Sequence, residues 1–173
     1  MTFSKKIIIE NCLDFDNSIA DIYTNGVCSN ESGGVGGWGA LIIENGEERQ
    51  IYGGVSFTTN NQMELLACIY ALESLSEPSM VILNTDSKYV IEGITKWIKG
   101  WQKNGWLTKS GDTVKNKTFW LKLEHLNARH RITWHFVRGH SGNRGNEIAD
   151  QLAVRGKEEE KLKITRPKII MIE

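Results

Sequence analysis

Residues 61–86, NQMELLACIYALESLSEPSMVILNTD, join a predicted buried helix to a predicted buried strand. Apolar residues cover nearly all sides of a helix from Met63 to Leu75, which predicts that this helix is largely buried. Met80–Thr85 is a short apolar run that ends at Asp86, and it predicts a buried strand with a carboxylate at its end. A buried helix followed by a buried strand is typical of α/β architecture.

The segments on either side of this stretch extend the same architecture. Before it, three strands are predicted, and Asn45-Gly46 between the second and third suits a tight hairpin. After it, helices alternate with one more strand. We therefore expect an α/β fold with a five-stranded mixed sheet flanked by helices. The predicted strands are Ala20–Thr24, Trp38–Glu44, Arg49–Thr58, Met80–Thr85 and Ile132–Val137, and the predicted helices are 61–75, a stretch from Ser87, Phe119–Ala128 and Asn146–Gly156.

The composition is that of a soluble globular protein with one domain. The chain has 173 residues, 40% of them hydrophobic, and two prolines, which excludes wholesale disorder and allows one hydrophobic core. Its apolar runs are far shorter than the ~20 residues that span a bilayer, and no signal peptide is evident, so we expect a cytoplasmic monomer with no membrane partner. We divide the chain into an N-terminal extension (1–19), a folded domain (20–156) and a C-terminal tail (157–173).

The charge balance and the cysteines exclude further classes of protein. Lys+Arg and Asp+Glu both total 21, which excludes a uniformly basic coat for nucleic acid but leaves room for a local basic patch. The cysteines are odd in number, widely spaced and without a CxxC pair, which argues against a disulfide framework or a zinc ribbon. They are Cys12, Cys28 and Cys68.

Three acidic residues interrupt or end apolar patterns. Glu64 lies inside the apolar helix, Asp86 ends the buried strand, and Asp150 lies on an amphipathic helix. Because strand ends in an open α/β sheet border the usual ligand crevice, these carboxylates together predict a divalent-metal site.

Each of these residues also has a structural interpretation. Glu64, three residues after Asn61, has the spacing of a helix capping box, and Asp86 could cap the helix that starts at Ser87. Asp150 could be an ordinary acidic residue facing solvent. The sequence pattern alone leaves both interpretations open.

The order of several short motifs resembles type 1 ribonuclease H, over about residues 20–156. The resemblance implies a ribonuclease H-like fold and an endonuclease that hydrolyses the RNA strand of RNA–DNA hybrids, leaving 5′-phosphate and 3′-hydroxyl ends. The matching stretches are Ile22-Tyr23-Thr24-Asn25-Gly26, Gly36-Gly37-Trp38-Gly39-Ala40, Thr58-Thr59-Asn60-Asn61-Gln62-Met63-Glu64-Leu65, Asn84-Thr85-Asp86-Ser87, Gly139-His140-Ser141-Gly142 and Asn146-Glu147-Ile148-Ala149-Asp150.

The resemblance also implies two Mg²⁺ ions, replaceable by Mn²⁺, held by four carboxylates. Three of these carry over as Glu64, Asp86 and Asp150, but the fourth and central position is Asn25 here. Loss of that charge should weaken the site by several kcal/mol, which at about 1.4 kcal/mol per tenfold lowers the rate roughly a thousandfold. His140 matches the family's loop histidine, a proton shuttle, although a histidine in a Gly-flanked loop is also typical of plain surface.

Asn25 has two interpretations. An engineered inactivation is favoured because the other site positions are intact, and the alternative is a natural module that binds hybrids without cutting them. Two departures from the family pattern keep that alternative open: Val27 where Ser is usual, and Ser-Asn-Glu-Ser at 29–32 where Gly-Asn-Pro-Gly is usual. A third hypothesis, another nuclease or a transposase on the same fold, fits Gly139-His140 less well.

A basic, tryptophan-rich segment is the predicted substrate grip. Residues 88–117, which we call the basic segment, hold seven lysines against two acids, with three tryptophans among them. This pattern fits either nucleic-acid binding or a solvated helix whose tryptophans pack on the body. The segment resembles the family's basic protrusion, which grips the DNA strand, with Trp101 and Trp106 alternatively forming its own small core. By resemblance, the candidate substrate contacts are Cys28, Asn30, Thr59, Asn60, Gln62, Lys96, Trp97, Lys99 and Trp101.

Overall fold

The computed structural model describes residues 16–30 and 33–165, which form one mixed sheet with helices on both faces. No helix in these ranges is both long and apolar enough to cross a membrane. The strands are β1 (Asp16–Cys28), β2 (Gly34–Glu44), β3 (Glu47–Thr58), β4 (Ser79–Thr85) and β5 (Arg131–Phe136). The α-helices are α1 (Asn60–Glu73), α2 (Lys88–Glu92), α3 (Ile98–Lys103), α4 (Lys117–Arg129) and α5 (Arg144–Thr165), and a π-helical turn (Gly93–Trp97) joins α2 to α3.

The sheet confirms the predicted α/β fold with five strands in mixed orientation. Its order is β3-β2-β1-β4-β5, with antiparallel pairing from β3 to β1 and parallel pairing from β1 to β5. In the register of β1 and β4, Thr24 lies opposite Thr85. Asn25 follows Thr24 and Asp86 follows Thr85, so both residues lie at the same edge of the sheet.

Several predicted boundaries are wrong; for example, β2 begins at Gly34 rather than Trp38. β1 begins at Asp16 rather than Ala20, because Asp16 already pairs with Ser79 of β4. α5 continues to Thr165 past Gly156, since its charged residues are good helix formers and pair within the helix. The ion pairs are Arg155–Glu159 at 2.9 Å and Lys163–Glu160 at 3.2 Å. Residues 1–15 and 166–173, most of the predicted extension and part of the predicted tail, lie outside the described residues.

One face of the sheet carries the main hydrophobic core. Ile22 of β1 and Leu83 of β4 are fully buried against Leu65 of α1 and Trp120 of α4. Trp120 also lies directly over Gly93, where any β-carbon would collide with the indole ring. The first residue of the π-helical turn is therefore a glycine because the core aromatic occupies the space of a side chain.

The other face of the sheet is covered by α5, which lies on glycines of β2 and β3. A β-carbon on Gly39 would lie 2.5 Å from Leu152 Cβ and 2.6 Å from the carbonyl oxygen of Ala149. Gly37 and Gly54 make similarly close approaches to the helix backbone further along. These glycines set the depth of α5 on the sheet, and with it the position of any side chain on that helix.

We expect Gly39→Ala to destabilise the fold by about 2 kcal/mol, because the added methyl overpacks the contact between α5 and β2. The measurement is urea denaturation followed by circular dichroism. Gly100→Ala is the matched control, since a β-carbon there would meet nothing within 4 Å, and alanine at an exposed helical glycine adds up to about 1 kcal/mol of stability. Equal stability of the two variants would contradict the close packing of α5.

Candidate active site

The structure brings the predicted acidic cluster and Asn25 together at the edge of the sheet. Asn25 is buried in β1, one residue past the end of the pairing with β4, and its Nδ2 donates to Asp86 Oδ2 at 3.4 Å. The charges of Asp86 and Asp150 both raise the pKa of Glu64, so the two carboxylates lie within electrostatic range of it. The three acids come from α1, the end of β4 and α5, and Asp86 is the one that contacts Asn25 directly.

Glu64 does not cap its helix, so the capping-box interpretation is wrong. The N-cap of α1 is Thr59, whose Oγ1 accepts from the Gln62 backbone N–H at 3.4 Å. Gln62 completes the box, because its Oε1 accepts from the Thr59 N–H at 3.2 Å. Glu64 therefore lies one turn into the helix, free of any capping contact and 5% exposed.

Asp86 does not cap its helix either. Ser87 is the N-cap of α2, and its Oγ accepts from the Val90 backbone N–H at 3.3 Å. Instead, Asp86 Oδ2 accepts hydrogen bonds from two side-chain amides, that of Asn25 at 3.4 Å and that of Asn146 at 3.2 Å. These two amides satisfy the hydrogen-bonding capacity of this oxygen within the protein.

Burial and neighbouring charges both act on the carboxyl group of Glu64. Burial raises its pKa well above the usual range, the charges of Asp86 and Asp150 raise it further, and a hydrogen bond from the Gly26 backbone opposes them. Its Oε2 is buried without a hydrogen-bond partner. A buried carboxylate oxygen without a donor is costly, so the site favours a proton or a cation at this atom.

The described residues hold no group of three His, Cys, Asp or Glu side chains already placed to bind a metal ion. In this arrangement the Asp86 carboxylate is hydrogen-bonded by the amides of Asn25 and Asn146.

The loop that carries His140 passes directly over Asp86. A β-carbon on Gly139 would lie 2.7 Å from Asp86 Oδ2, so a side chain there would require the Asp86 carboxylate to shift. His140 follows with a left-handed backbone, φ 52°, and its side chain is exposed. Ser141 Oγ closes the turn by donating to the Arg138 carbonyl at 2.6 Å. The loop thus brings an exposed imidazole to the rim of the acidic cluster.

Several predicted substrate contacts line the edge beside this cluster. Cys28 Sγ donates to the Thr58 carbonyl at 3.2 Å, which places the end of β1 against the start of α1. Gln62 Oε1 accepts a hydrogen bond from Thr58 Oγ1 at 2.9 Å, and its Nε2 donates to Asn116 Oδ1 at 3.2 Å. Asn30 and Asn60 are exposed near the same edge.

The basic segment combines an aromatic cluster with exposed lysines. Trp101 packs 5.4 Å from Trp120 and 5.8 Å from Trp97, measured between ring centroids. Trp101 and Trp106 pack against the main core of the protein body, so they do not form a separate small core, whereas Trp97 stays 36% exposed. A cleft of about 690 Å³ opens between these rings and the loop after α3. Lys96 and Lys99 are exposed next to it.

Two asparagines of this site were missed from the sequence. Asn146 is 2% exposed, donates to Asp86, and leaves its Oδ1 buried without a partner. Asparagine at a helix start usually indicates a cap, but Asn143 accepts the Asn146 N–H here and fills that role. Asn116 has a left-handed backbone and links Gln62 to the Tyr89 hydroxyl. No sequence signal distinguished it from an ordinary turn residue.

A family model described as RNase H matches residues 17–158. The chain belongs to the RNase H family. It is 51% identical to the Ribonuclease H of Hyphomonas neptunium over 83% of this chain and 95% of that protein. It is 54% identical to the Ribonuclease H of Bartonella tribocorum over 78% of this chain and 86% of that protein.

A solved structure agrees with this assignment. The crystal structure of LC9-RNase H1, a type 1 RNase H with the type 2 active-site motif, superposes with a TM-score of 0.76 at 30% sequence identity. The match covers 84% of this chain and 75% of that one. The ribonuclease H-like fold expected from the motifs is thereby confirmed.

We expect Asn25→Asp to lower stability by about 2 kcal/mol in EDTA at pH 8, because it adds a charge beside Asp86 and removes the amide that pairs with it. The difference should shrink towards pH 4, where the added carboxyl and Glu64, whose pKa is raised by burial and nearby charge, take up protons. Thermal melting at both pH values measures this.

Asn45→Asp, an exposed change in the turn between β2 and β3, is the control for the added charge. It should shift the melting temperature little at either pH. An Asn25→Asp protein as stable as the unmodified chain at pH 8 would show that repulsion in the cluster is negligible.

Proposed function

We propose that this chain is a type 1 ribonuclease H that binds RNA–DNA hybrids and whose hydrolysis of the RNA strand is crippled by Asn25. The observation that carries the proposal is the meeting of Glu64, Asp86 and Asn25 at one strand edge of an RNase H-family fold, with Asp150 in electrostatic range. With aspartate at position 25, the same edge would present four carboxylates.

The donor atoms at this edge fit a hard divalent cation. Carboxylate oxygens are the ligands that Mg²⁺ prefers, with Mn²⁺ as a substitute, and the buried Glu64 Oε2 lacks any other partner. Glu64, Asp86 and Asp150 would hold the ions, together with an aspartate at position 25. When bound, such ions activate a water for attack on the phosphodiester and stabilise the departing 3′ oxygen.

The protein's own contribution is to orient these groups and to exchange protons. The hydrogen bond from Asn146 fixes Asp86, and the glycine contacts of α5 fix Asp150. His140, exposed on its loop beside Asp86, is placed to exchange a proton with the leaving 3′ oxygen and to assist product release.

Asn25 impairs this site in two ways. Its amide brings no negative charge, so the site loses several kcal/mol of cation binding at a realistic effective dielectric. Its Nδ2 also donates to Asp86, which occupies an oxygen that the cation needs. A loss of about 4 kcal/mol corresponds to roughly a thousandfold in rate.

Substrate recognition rests on two surfaces in this proposal. Cys28, Asn60 and Gln62 contact the hybrid backbone near the cluster, where the RNA 2′-hydroxyl distinguishes RNA from DNA. Thr59 with Asn60 forms part of a pocket for a DNA phosphate, and Asn30 lies across from them on the loop after β1. The lysines of the basic segment neutralise phosphates of the DNA strand, and Trp97 packs on its sugars.

The second candidate function is hybrid binding without cleavage. The observation that favours it is the pair of amide hydrogen bonds on Asp86, which satisfies that carboxylate without any cation. Under this alternative, the residues proposed to bind the hybrid would keep their positions without a bound metal ion.

We expect Asn25→Asp with Mg²⁺ to cut an RNA–DNA hybrid at least about a thousandfold faster than the unmodified chain, because it restores the missing charge. Gel analysis of end-labelled RNA measures the rate and the 5′-phosphate and 3′-hydroxyl ends. RNA–RNA and DNA–DNA duplexes are the substrate controls, and Asn25→Asp with Glu64→Gln is the inactive control.

Cleavage of the hybrid alone supports the nuclease. Tight hybrid binding by both proteins with no cutting by either supports the binding module. Cutting of all three duplexes at similar rates would point to a different nuclease on the same fold.

The joint change Lys96→Gln and Lys99→Gln should weaken hybrid binding and reduce the slope of log affinity against log salt by about 2, because each lysine releases about one counterion. Fluorescence anisotropy in EDTA across a salt series measures this slope. Lys122→Gln is the control, since Lys122 on α4 pairs with Glu73 at 2.8 Å outside the basic segment. An unchanged slope in the double variant would remove the basic segment from the interface.

A further inference from the structure

Phe57 is the most exposed large apolar side chain within the described residues, at 82%. It stands at the end of β3, immediately before Thr58 and the cap residue Thr59. A single exposed apolar residue is common on protein surfaces and proves nothing by itself. The inference rests on the geometry of β3 and of the loop around Phe57.

A β-bulge near the end of β3 sets the position of Phe57. β2 and β3 pair at Gly36 with Val55 and next at Gly34 with Thr58, so two residues of β3 stand opposite one of β2. Those two are Ser56 and Phe57. Ser56 Oγ donates to Glu160 of α5 at 3.1 Å, which ties the bulge to the body of the protein. Bulges beside functional sites re-aim side chains in this way.

The ring of Phe57 is supported on one side by a glycine. A β-carbon on Gly33 would lie 3.3 Å from Phe57 Cζ, and Gly33 has φ +117°, a backbone conformation that other residues rarely adopt. The absence of a side chain at Gly33 therefore leaves room beside one edge of the ring, and most of the ring surface is open to solvent.

Predicted substrate contacts lie on both sides of this ring. Cys28 bonds to the carbonyl of Thr58, the residue next to Phe57. Thr59 and Asn60 follow along the chain, and Asn30 approaches Gly34 across the loop, with its Nδ2 3.6 Å from where a Gly34 β-carbon would be. Phe57 therefore lies within the stretch of surface that holds these predicted contacts.

We propose that Phe57 packs against a sugar of the bound hybrid backbone and so contributes to affinity beside the active site. This inference rests on the proposed function, because it needs the hybrid to lie across the acidic cluster. A phenyl ring has no charge and no hydrogen-bonding group, so it neither neutralises a phosphate nor recognises a 2′-hydroxyl. Its contact is with hydrocarbon of the sugar, and it adds affinity that salt does not screen.

The test is the affinity of a fluorescein-labelled RNA–DNA hybrid in EDTA, measured by anisotropy for the unmodified chain, Phe57→Ala and Phe57→Trp. Phe57→Ala should bind about tenfold more weakly with an unchanged salt slope, as expected for loss of an aromatic contact. Phe57→Trp should retain the affinity. Ile19→Ala is the control, because Ile19 is 51% exposed on β1 several residues before Asn25, and it should bind like the unmodified chain.

The outcomes separate this inference from the proposed function. If the unmodified chain does not bind the hybrid, both fail. If it binds and Phe57→Ala binds equally well, the contact of Phe57 is wrong and the proposed function stands. An equal loss in Ile19→Ala, or a lower melting temperature of Phe57→Ala that accounts for its weaker binding, would also overturn the contact.

Discussion

The parallel pairing of β1 with β4 is the constraint on which the candidate site depends. Because the pairing of β1 with β4 ends where Thr24 lies opposite Thr85, the next residues Asn25 and Asp86 lie side by side. α1 then brings Glu64 to that edge over Gly26, where a β-carbon would collide with the helix backbone. A slip of one residue in this pairing would turn the side chains of one strand to the opposite face and separate the two groups.

The sequence predicted the sheet and the convergence of polar residues, because apolar runs ending in a carboxylate carry a strong signal. It misplaced the cap of α1, since Thr58, Thr59, Asn60 and Asn61 are all good N-cap residues and only the exit of β3 selects among them. It ended α5 too early because a charged run is typical of both a solvated helix and a tail. Asn146 escaped notice because its role depends on a contact with a residue 60 positions away.

The hydrogen bonding of the cluster distinguishes the buried Glu64 from the partly buried Asp86. Asp86 has two amide donors, whereas Glu64 has a buried oxygen with none and a pKa raised by burial and by its neighbours. An asparagine at position 25 relieves one of these carboxylates and leaves the other dependent on a proton or a cation. The amide of Asn25 therefore provides a hydrogen bond to Asp86 but none to the buried Glu64 Oε2.

The π-helical turn Gly93–Trp97 has a consequence for the surface that follows it. A π turn accommodates one residue more than a regular helix would, and each residue turns the positions after it by about 100° around the axis. Shortening the turn by one residue would therefore rotate Trp101 away from Trp120 and carry Lys99 to a different side of the helix. The phase of the basic segment relative to the protein body is thus set by a single extra residue.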